Sequence, residues 1–579
     1  MKLTAFERSP VKQAWYARSH QVIHSQEQLM RLKPGFVRSL SRLLGVESLS
    51  GRVSPVLFDD GRAGVFVLPE YCQDDQTQAV LSLLEQKGFR VVDPGVFVLA
   101  SALLIAIDRA DQVDRPVSYS STRSPTLQRS SLIELFKEIV GWAVDHGASD
   151  IHLNVTRNRP DSSVYFTIMG RYLCPDQYRS IPTATMLEML SVAWMSVQGG
   201  NGAVFDPMIE QQGRIHLQLG THQPVSRPVD LRWASLATDA GPSVCLRVLV
   251  SNQLKLTPDL HELGYLDCQV QTLQRARALQ GGAIILAGVV GSGKSTTIAT
   301  LMRDIPRDRK VITLEDPVEY PIPYALQNTI NRTLDDKDGC SFDTKLKTIK
   351  RSAMNDLLIG EIRDAAGGRA LMDLAGCGVN LYTTVHAGSV LLIPDRLASS
   401  FIGVSRDLLA TPGILKLLVY QLLIPKLCAD CALDWDAFCE TKSYLDFEGR
   451  VRGKDWFKTW VDVIESTTGV NRRVLRFRSV QGCERCNTTS VLALPGTHGR
   501  TVVAEMIEPY REPNFLHGIK HNDGLGLHQW FNARPHSPVD HPSMSGKSVQ
   551  QSALYKMVNG QVDPRDLEIR FGSMMHPGA

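Results

Sequence analysis

The chain has 579 residues and a formal net charge of only +3 at pH 7. Hydrophobic residues make up 43% and charged residues 21%, the balance of a globular protein with several domains rather than a disordered chain. The near-neutral total argues against nucleic acid as the main partner, and no apolar stretch reaches the ~20 residues of a membrane-spanning helix. The first residues lack the apolar core of a signal peptide, so we expect a cytoplasmic protein that meets membranes only through partners.

The amino-terminal part of the chain, residues 1–107, alternates short apolar runs with Gly, Pro and charged residues. This pattern predicts a small domain of strands and turns with a helix at residues 78–87. Residues 108–129 are rich in Ser, Arg, Asp and Pro and have no periodic apolar pattern. They are predicted to form a linker.

The rest of the chain divides into two predicted folding units. Residues 130–252 combine one helical pattern with five strand-like runs, which predicts a small α+β domain. Residues 253–579 alternate buried strands with helices, a pattern typical of a parallel sheet. Several of these strands end in polar residues, and open α/β sheets bind ligands at the carboxyl ends of their strands.

A glycine-rich turn at residues 288–295, GVVGSGKS, matches the pattern G-x-x-x-x-G-K-[ST] between an apolar strand and a helix. Its glycines let backbone N–H groups turn toward phosphate oxygens, and the helix adds the positive end of its dipole. Lys294 would reach the β- and γ-phosphates, and the Ser295 hydroxyl would bind Mg²⁺. We therefore predict ATP and Mg²⁺ as ligands. The predicted nucleotide-binding residues are Gly288, Val289, Val290, Gly291, Ser292, Gly293, Lys294, Ser295, Thr296 and Asp316.

Acidic residues follow this loop at two further strand exits. TLEDPVEY places Glu315, Asp316 and Glu319 after one apolar run, and NDLLIGEIRD places Glu361 after the next. Hydrolysis needs a carboxylate that positions or deprotonates water, and polar ligands around Mg²⁺. We predict Glu361 as the general base and the earlier acids as partners of the attacking water and of the metal's water shell. The alternative is a set of exposed loop carboxylates in surface ion pairs.

A third predicted strand ends in the segment LYTTVHAG, which contains His386. By itself this residue is uninformative, since a hydrogen-bonded histidine in a turn explains it equally well. In the array of strand exits, we predict that His386 senses the γ-phosphate or the neighbouring acids.

These motifs, in their order, resemble those of the secretion ATPase superfamily, which drives type II secretion, type IV pilus assembly and related machines. GVVGSGKSTT resembles its Walker A motif, TLEDPVEY its Asp box, IGEIRD its Walker B motif and TTVHAGS its His box. ASDIHL at residues 148–153 resembles the entry into its regulatory domain. The chain also resembles later landmarks of this domain at Gly213-Arg214, Asp230-Leu231-Arg232 and Leu246-Arg247-Val248-Leu249.

The resemblance implies a PAS-like α+β domain at residues 130–252 and a RecA-like ATPase domain at residues 253–579 that ends in a helical tail. It implies a homo-hexameric ring with nucleotide between the two domains, where Arg232 and Arg247 fit, by motif position, the arginines that reach the phosphates. It also implies an inner-membrane platform and docking proteins as partners, which would hold the protein at the inner face of that membrane. We expect residues 1–107 to dock there, because the linker would let this domain swing.

Two motifs depart from the family pattern. The family has Asp-Pro-Asp shortly before the Walker B glycine, where this chain has Ala353-Met354-Asn355, followed by Asp356. In the His box, His386 is followed by Ala387 and Gly388 rather than Thr-Asn. Because Glu361 and His386 are kept, we expect catalysis to survive in a divergent branch of the family.

Four of the 11 cysteines form two Cys-x-x-Cys pairs, Cys428/Cys431 and Cys483/Cys486. Without a secretion signal, such pairs indicate a metal site before a disulfide, and four thiolates form a tetrahedral Zn²⁺ site. The alternative is two chance pairs of thiols. We predict a structural zinc module at residues 425–490. In the resembled family this module is typical of secretion and pilus-extension members and usually missing from pilus-retraction members.

The segment between the two pairs is longer than usual for the family and contains a further thiol, Cys439. It also holds an arginine run, which we interpret as a solvated or protein-docking face rather than a nucleic-acid site. Together the motifs predict a hexameric, ATP-hydrolysing motor for pilus or pseudopilus assembly. Two alternatives stay open. One is a nucleic-acid motor on the same core, and the other is a catalytically degenerate ring subunit, which the altered motifs favour.

Overall fold

The computed structural model describes residues 20–23, 28–29, 31–46, 49, 52–99, 103–104, 107, 125–198, 200, 202–219, 227–250, 258–316, 318–330, 340–441, 444–486 and 495–574. These residues fall into two compact units, one within residues 1–251 and one within residues 252–579. None of the described helices combines the length and the apolar character that a membrane span requires.

The first sheet of the amino-terminal unit has five strands in the order β1-β5-β4-β3-β2. Phe58, Phe66 and Phe97 pack on one of its faces with ring centroids 5.5–6.0 Å apart. Its helix begins three residues before the predicted start at residue 78, because the side chain of Asp74 caps it by accepting from the N–H of Gln76. The elements are β1 (His20–Ile23), β2 (Phe36–Ser39), β3 (Val53–Phe58), β4 (Ala63–Val67), α1 (Asp75–Gln86) and β5 (Val91–Leu99).

The second sheet of this unit is antiparallel, in the order β10-β11-β12-β13-β6-β7-β8, with β9 paired to β7. Two helices, α2 and α3, bury Phe136, Ile139, Met186 and Leu190, and Trp194 of α3 packs against Trp233 of the sheet with ring centroids 5.3 Å apart. The elements are α2 (Pro125–Asp145), β6 (Asp150–Asn154), β7 (Asp161–Ile168), β8 (Arg171–Leu173), β9 (Ile181–Pro182), α3 (Thr183–Trp194), β10 (Val197–Gln198), β11 (Gln211–Leu219), β12 (Arg227–Leu236) and β13 (Ser243–Val250).

Helix α2 corrects the predicted linker at its carboxyl end. The helix starts at Pro125, so residues 125–129 are helical rather than part of a linker. Pro is well tolerated in the first turn of a helix, where its missing N–H has no partner to lose. The remaining predicted linker residues, 108–124, lie outside the described part of the chain.

The second unit is built on a seven-stranded sheet in the order β16-β15-β17-β18-β14-β19-β22. Its first part contains α4 (Leu260–Leu263), α5 (Asp267–Ala278), β14 (Ala283–Ala287), α6 (Lys294–Arg303), β15 (Val311–Glu315), β16 (Leu326–Thr329), α7 (Cys340–Lys350), β17 (Asp356–Ile359), α8 (Ala365–Ala375), β18 (Asn380–Val385), α9 (Leu392–Ala398), α10 (Arg406–Leu409) and β19 (Leu415–Leu427).

The chain continues through α11 (Trp435–Glu440), β20 (Tyr444–Leu445), β21 (Val451–Arg452), α12 (Lys454–Thr468), β22 (Thr497–Ile507), α13 (Pro513–His521), α14 (Gly524–Ala533), α15 (Val549–Val558) and α16 (Pro564–Phe571). Short 3₁₀ helices lie at Pro69–Tyr71, Asp176–Tyr178, Arg472–Val474 and Pro509–Arg511.

Both faces of the seven-stranded sheet are covered. In β14, Ile285 belongs to one hydrophobic core and its neighbours Ile284 and Leu286 to the other, because successive side chains of a strand point to opposite faces. The strands from β16 to β19 are parallel, and β22 runs antiparallel to β19. The carboxyl ends of β14, β15, β17 and β18 therefore meet at one edge of the sheet.

The carboxyl-terminal helices belong to this core although their sequence is mostly polar. Phe515, Ile519, Met557 and Leu567 are buried in the same cluster as Ile285. Each of these helices buries only a narrow apolar stripe, so the average composition of the tail understates its contribution to the fold.

Candidate nucleotide site

The phosphate-binding loop, residues 288–295, joins β14 to α6. At Gly288, with φ of 155°, an added Cβ would lie 2.5 Å from the carbonyl oxygen of Gln421, so only glycine fits there. Gly293, with φ of 82°, is the N-cap of α6, and the loop thus presents the amino end of this helix. Val289, Val290 and Ser295 are exposed, as side chains at the mouth of a binding loop would be.

The Lys294 side chain lies across this loop. Its Nζ atom donates to the carbonyl oxygens of Gly288 at 2.9 Å and Val289 at 3.1 Å. Burial lowers the pKa of the Lys294 ammonium, and the carboxylates of Glu361 and Glu319 act in the opposite direction. Both predicted acids therefore lie within electrostatic reach of the predicted phosphate-binding lysine.

Glu361 and His386 follow the adjacent parallel strands β17 and β18. Nε2 of His386 lies 3.3 Å from Oε1 of Glu361. The Thr384 hydroxyl donates to the carbonyl oxygen of Gly360 at 2.8 Å, and the N–H of Gly360 donates to Leu314 on β15 at 2.8 Å. Backbone and side-chain hydrogen bonds thus hold three strand exits together.

Glu315 is a half-buried acid of the predicted set. Its Oε1 accepts from the Gln327 amide at 3.1 Å, and burial raises the pKa of its carboxyl group, with the hydrogen bonds from Gln327 and from the Glu319 backbone opposing this rise. Asp316 accepts from Arg363 at 3.1 Å. Glu319 is exposed. Gln327, a residue that the sequence analysis did not select, therefore holds Glu315 in place.

Gln421 and Tyr265, which the motifs did not indicate, connect to the phosphate-binding loop through buried hydrogen bonds. The Gln421 amide donates to the carbonyl oxygen of Ser292 at 2.7 Å and accepts from the Tyr265 hydroxyl at 2.5 Å. Thr296 donates to the hydroxyl of Tyr320 at 3.0 Å. The one sequence signal for Gln421 is its position between the runs LLVY and LLIP of β19, which are otherwise mostly apolar.

The altered residues before the Walker B motif, Ala353-Met354-Asn355, lie at the amino end of β17, opposite the edge of the sheet where the strands end. Asn355 precedes β17 and accepts from the N–H of Lys310 at 2.8 Å, whereas Glu361 follows the carboxyl end of the same strand. Four strand residues separate the two ends, a distance of about 13 Å at 3.3 Å per residue. Asn355 therefore braces the start of the strand and does not touch the candidate site.

The predicted phosphate-contacting arginines lie in the amino-terminal unit. Arg232 pairs directly with Arg214 on β11 and with Arg247 on β13, so three arginines form a row across neighbouring strands. Nε of Arg247 also donates to Asp150 at 3.0 Å. Strand register thus adds Arg214 to the two arginines selected from the sequence.

The four paired cysteines converge at the end of β19. Sγ of Cys483 lies 3.6 Å from that of Cys428 and 3.7 Å from that of Cys486, and Cys431 lies 3.7 Å from Cys486. A Zn²⁺ ion with four Zn–S bonds of about 2.3 Å gives sulfur–sulfur distances of about 3.8 Å, whereas a disulfide needs about 2.0 Å. The donor set and its spacing therefore fit a tetrahedral Zn²⁺ site.

The segment between the two cysteine pairs, residues 432–482 and here called the insert, is held by α16. Arg565 on this helix donates to the carbonyl oxygen of Leu445 at 3.3 Å, and the N–H of Arg478 donates to Asp563 at 2.7 Å. Arg472 pairs with Asp462 at 2.5 Å. The Arg472 side chain is thus paired within the molecule. Fewer arginines of the run therefore remain available to form a solvated or protein-docking face. Among the described residues, Cys439 is not part of the metal-binding group.

A family model described as "Type II/IV secretion system protein" matches residues 126–525. The Type II secretion system ATPase E of Vibrio cholerae serotype O1 is 25% identical over 380 residues, which cover 65% of this chain and 65% of that protein. The Type IV pilus assembly ATPase PilB of Thermus thermophilus is 26% identical over 383 residues, which cover 66% of this chain and 38% of that protein.

A solved structure, the X-ray structure of the Yersinia pseudotuberculosis ATPase DotB, aligns with a TM-score of 0.47 and 15% identity and covers 79% of this chain and 97% of that chain. The present chain spans less than two thirds of the length of both curated relatives named above.

Proposed function

This chain belongs to the Type II/IV secretion system protein family, and from that premise we propose that it is a Mg²⁺-dependent ATPase that powers the assembly of a type IV pilus or a type II secretion pseudopilus. The observation that carries the proposal is the convergence of Lys294, Glu361 and His386 at one edge of the seven-stranded sheet. Motors of this kind need a phosphate-binding loop and a water-activating carboxylate at the same place.

Each residue then has a defined task. Lys294, which now donates to loop carbonyls, would turn its ammonium to the β- and γ-phosphates. Glu361 would orient water or accept its proton, and His386 would hold the Glu361 carboxylate through their close contact. Glu315, Asp316 and Glu319 would bind the water molecules around the metal. Mg²⁺, held through the exposed Ser295 hydroxyl, would neutralise phosphate charge.

The amino-terminal unit would complete the site. We propose that residues 130–252 form a PAS-like domain and residues 253–579 a RecA-like domain, with nucleotide between them in a ring of six chains. Arg232 and Arg247, with Arg214 beside them, would then offset the charge that develops on the transferred phosphoryl group. The direct register of the three arginines on neighbouring strands supports this role, because it gathers their positive charge at one place on the sheet.

The tetracysteine site supports an assembly motor rather than a retraction motor. We propose that Cys428, Cys431, Cys483 and Cys486 bind structural Zn²⁺, which closes the insert onto the end of β19. The protein would act at the inner face of the cytoplasmic membrane through a platform protein, and residues 1–107 would form the domain that docks to the machine.

Phosphate release by the oligomeric protein tests the proposal, with and without the cytoplasmic domain of a candidate platform protein. We expect turnover that the platform domain stimulates, no ATP binding by Lys294→Ala, and ATP binding with turnover lowered at least about 100-fold by Glu361→Gln. Normal turnover in both variants would overturn the proposed site.

Two other outcomes would assign other functions. Bound ATP without turnover in the wild-type protein would establish a degenerate ring subunit. Turnover stimulated by DNA, with a steep dependence on salt, would instead establish a nucleic-acid motor.

A further inference from the structure

A buried chain of hydrogen bonds connects the start of the second unit to the phosphate-binding loop. The hydroxyl of Tyr265 donates to Oε1 of Gln421 at 2.5 Å, and Nε2 of Gln421 donates to the carbonyl oxygen of Ser292 at 2.7 Å. Gln421 is fully buried and Tyr265 is 2% exposed. Water therefore offers no replacement partner for any member of this chain.

The direction of each hydrogen bond is determined by chemistry. Ser292 contributes a carbonyl oxygen, which only accepts, so the Gln421 amide must present its NH₂ group to the loop and its oxygen to Tyr265. Burial raises the pKa of the Tyr265 hydroxyl, which keeps its proton available for donation. The same hydroxyl also lies 3.4 Å from the Thr297 hydroxyl in the first turn of α6.

Tyr265 belongs to the segment through which the chain enters the second unit, residues 258–266 and here called the entry segment. This segment is tied to the core at several points. The Thr300 hydroxyl donates to the carbonyl oxygen of Pro258 at 3.0 Å. Lys556 donates to the carbonyl oxygen of Gly264 at 2.6 Å and to the Thr501 hydroxyl at 2.7 Å. Hydrogen bonds thus tie the entry segment to α6, β22 and α15.

We propose that Tyr265 and Gln421 are positioning residues that couple the entry segment to the phosphate-binding loop, so that the pose of this segment changes the affinity for nucleotide phosphates. This inference rests on the function proposed above. The entry segment follows the residues that join the two units, and coupling between two sites is reciprocal by thermodynamic necessity. Nucleotide binding should accordingly change the exposure of the entry segment.

The structure offers a matched pair of variants for the test. Tyr265→Phe removes the hydroxyl that contacts Gln421. Tyr382→Phe removes another buried hydroxyl in the same unit, which donates to Oδ1 of Asp356 at 3.1 Å, at the amino end of β17. Each change deletes one oxygen and leaves the ring in place, so both should cost a similar amount of stability.

We expect titration with a fluorescent ADP analogue to show about tenfold weaker binding for Tyr265→Phe and unchanged binding for Tyr382→Phe, because losing the hydrogen bond to Gln421 leaves the loop less ordered and binding must then restore its order. A buried hydrogen bond that counts only in the bound state corresponds to roughly five- to hundredfold in Kd. Amide exchange of the peptide that contains Ser292 should rise only in Tyr265→Phe. In the reverse direction, ADP should protect the entry segment in the wild-type protein and fail to do so in Gln421→Met.

A double variant keeps the inference testable if single variants lose stability. In Gln421→Met the hydroxyl has lost its acceptor, so adding Tyr265→Phe should weaken binding no further. Equal affinity of Tyr265→Phe and wild type, or fully additive losses in the double variant, would overturn the coupling and leave the ATPase proposal intact. A wild-type protein that binds no nucleotide would overturn both.

Discussion

Nε2 of His386 lies 3.3 Å from Oε1 of Glu361, across the exits of two adjacent parallel strands. Residues that act as one unit give non-additive losses when they are removed. We expect Glu361→Gln to lower kcat by at least about 100-fold and His386→Ala to lower it less. Adding His386→Ala to Glu361→Gln should cost almost nothing more.

Single-turnover phosphate release measures this non-additivity. Glu448→Gln, an exposed acid on the insert, is the matched control and should leave kcat unchanged. If the two losses multiply in the double variant, His386 acts independently of Glu361.

Two glycines of the phosphate-binding loop should respond differently to alanine. A Cβ at Gly288 meets the Gln421 carbonyl oxygen at 2.5 Å and Ser292 Oγ at 2.4 Å, whereas at Gly291 nothing lies within 4 Å. Both positions have positive φ, so each substitution carries a backbone cost of about 1 kcal/mol. Only Gly288→Ala should also displace the loop and abolish ATP binding. Calorimetric titration with ATP will compare the two variants, and equal affinities would contradict the proposed steric role of Gln421.

The tetracysteine site should contain one Zn²⁺ ion per chain. Cys483→Ser should remove the metal, because three thiolates and a hydroxyl bind it less strongly, and should lower the unfolding temperature by loosening the insert. Cys439→Ser, on α11 and outside the cluster, should retain full zinc content. Metal analysis of the purified proteins checks both statements. Full zinc content in Cys483→Ser would rule out the assigned ligand set.

Lys556 predicts a pH dependence of stability. Burial lowers the pKa of its ammonium from 10.5 to about 8. Between these two values the unfolded chain binds a proton that the folded protein does not, so the free energy of unfolding rises with pH in that window. Below about pH 8 the folded protein carries the full cost of burying the charged Lys556 ammonium. The rise should total at most about 3 kcal/mol.

Urea unfolding at pH 7 to 10 of the wild-type protein and of Lys556→Met measures this effect. The stability of the wild type relative to Lys556→Met should increase with pH. Lys520→Met, at an exposed position, is the control, and its difference from the wild type should stay constant. A constant difference between wild type and Lys556→Met would show that Lys556 does not titrate in this range.

Much of the candidate site was predictable because its residues come in local motifs. The loop from Gly288 to Ser295 and the acids at strand exits carry their signal in a few consecutive positions. The alternation of strands and helices then predicts that parallel strands bring these exits to one edge. Each of the two cysteine pairs likewise carries its signal in one short spacing.

Gln421, Tyr265 and Gln327 could not be selected in this way. Each acts through hydrogen bonds to residues far away in the chain, such as the pair from Tyr265 to Gln421, and no local pattern marks a contact of that length. The row that adds Arg214 to Arg232 and Arg247 depends on strand register, which is set by pairing between strands rather than within one.

The sequence by itself determined which chemical groups this protein has and the order in which they follow the strands, because phosphate and metal sites need particular residue types at short spacings. Only the tertiary structure decided what supports them: that Asn355 braces the amino end of β17 rather than the site, that Gln421 lies under the loop, and that a mostly polar tail completes the core. These relationships arise from packing and hydrogen bonds between distant segments, where many residue types satisfy the same geometry, and so they leave no local signal in the chain.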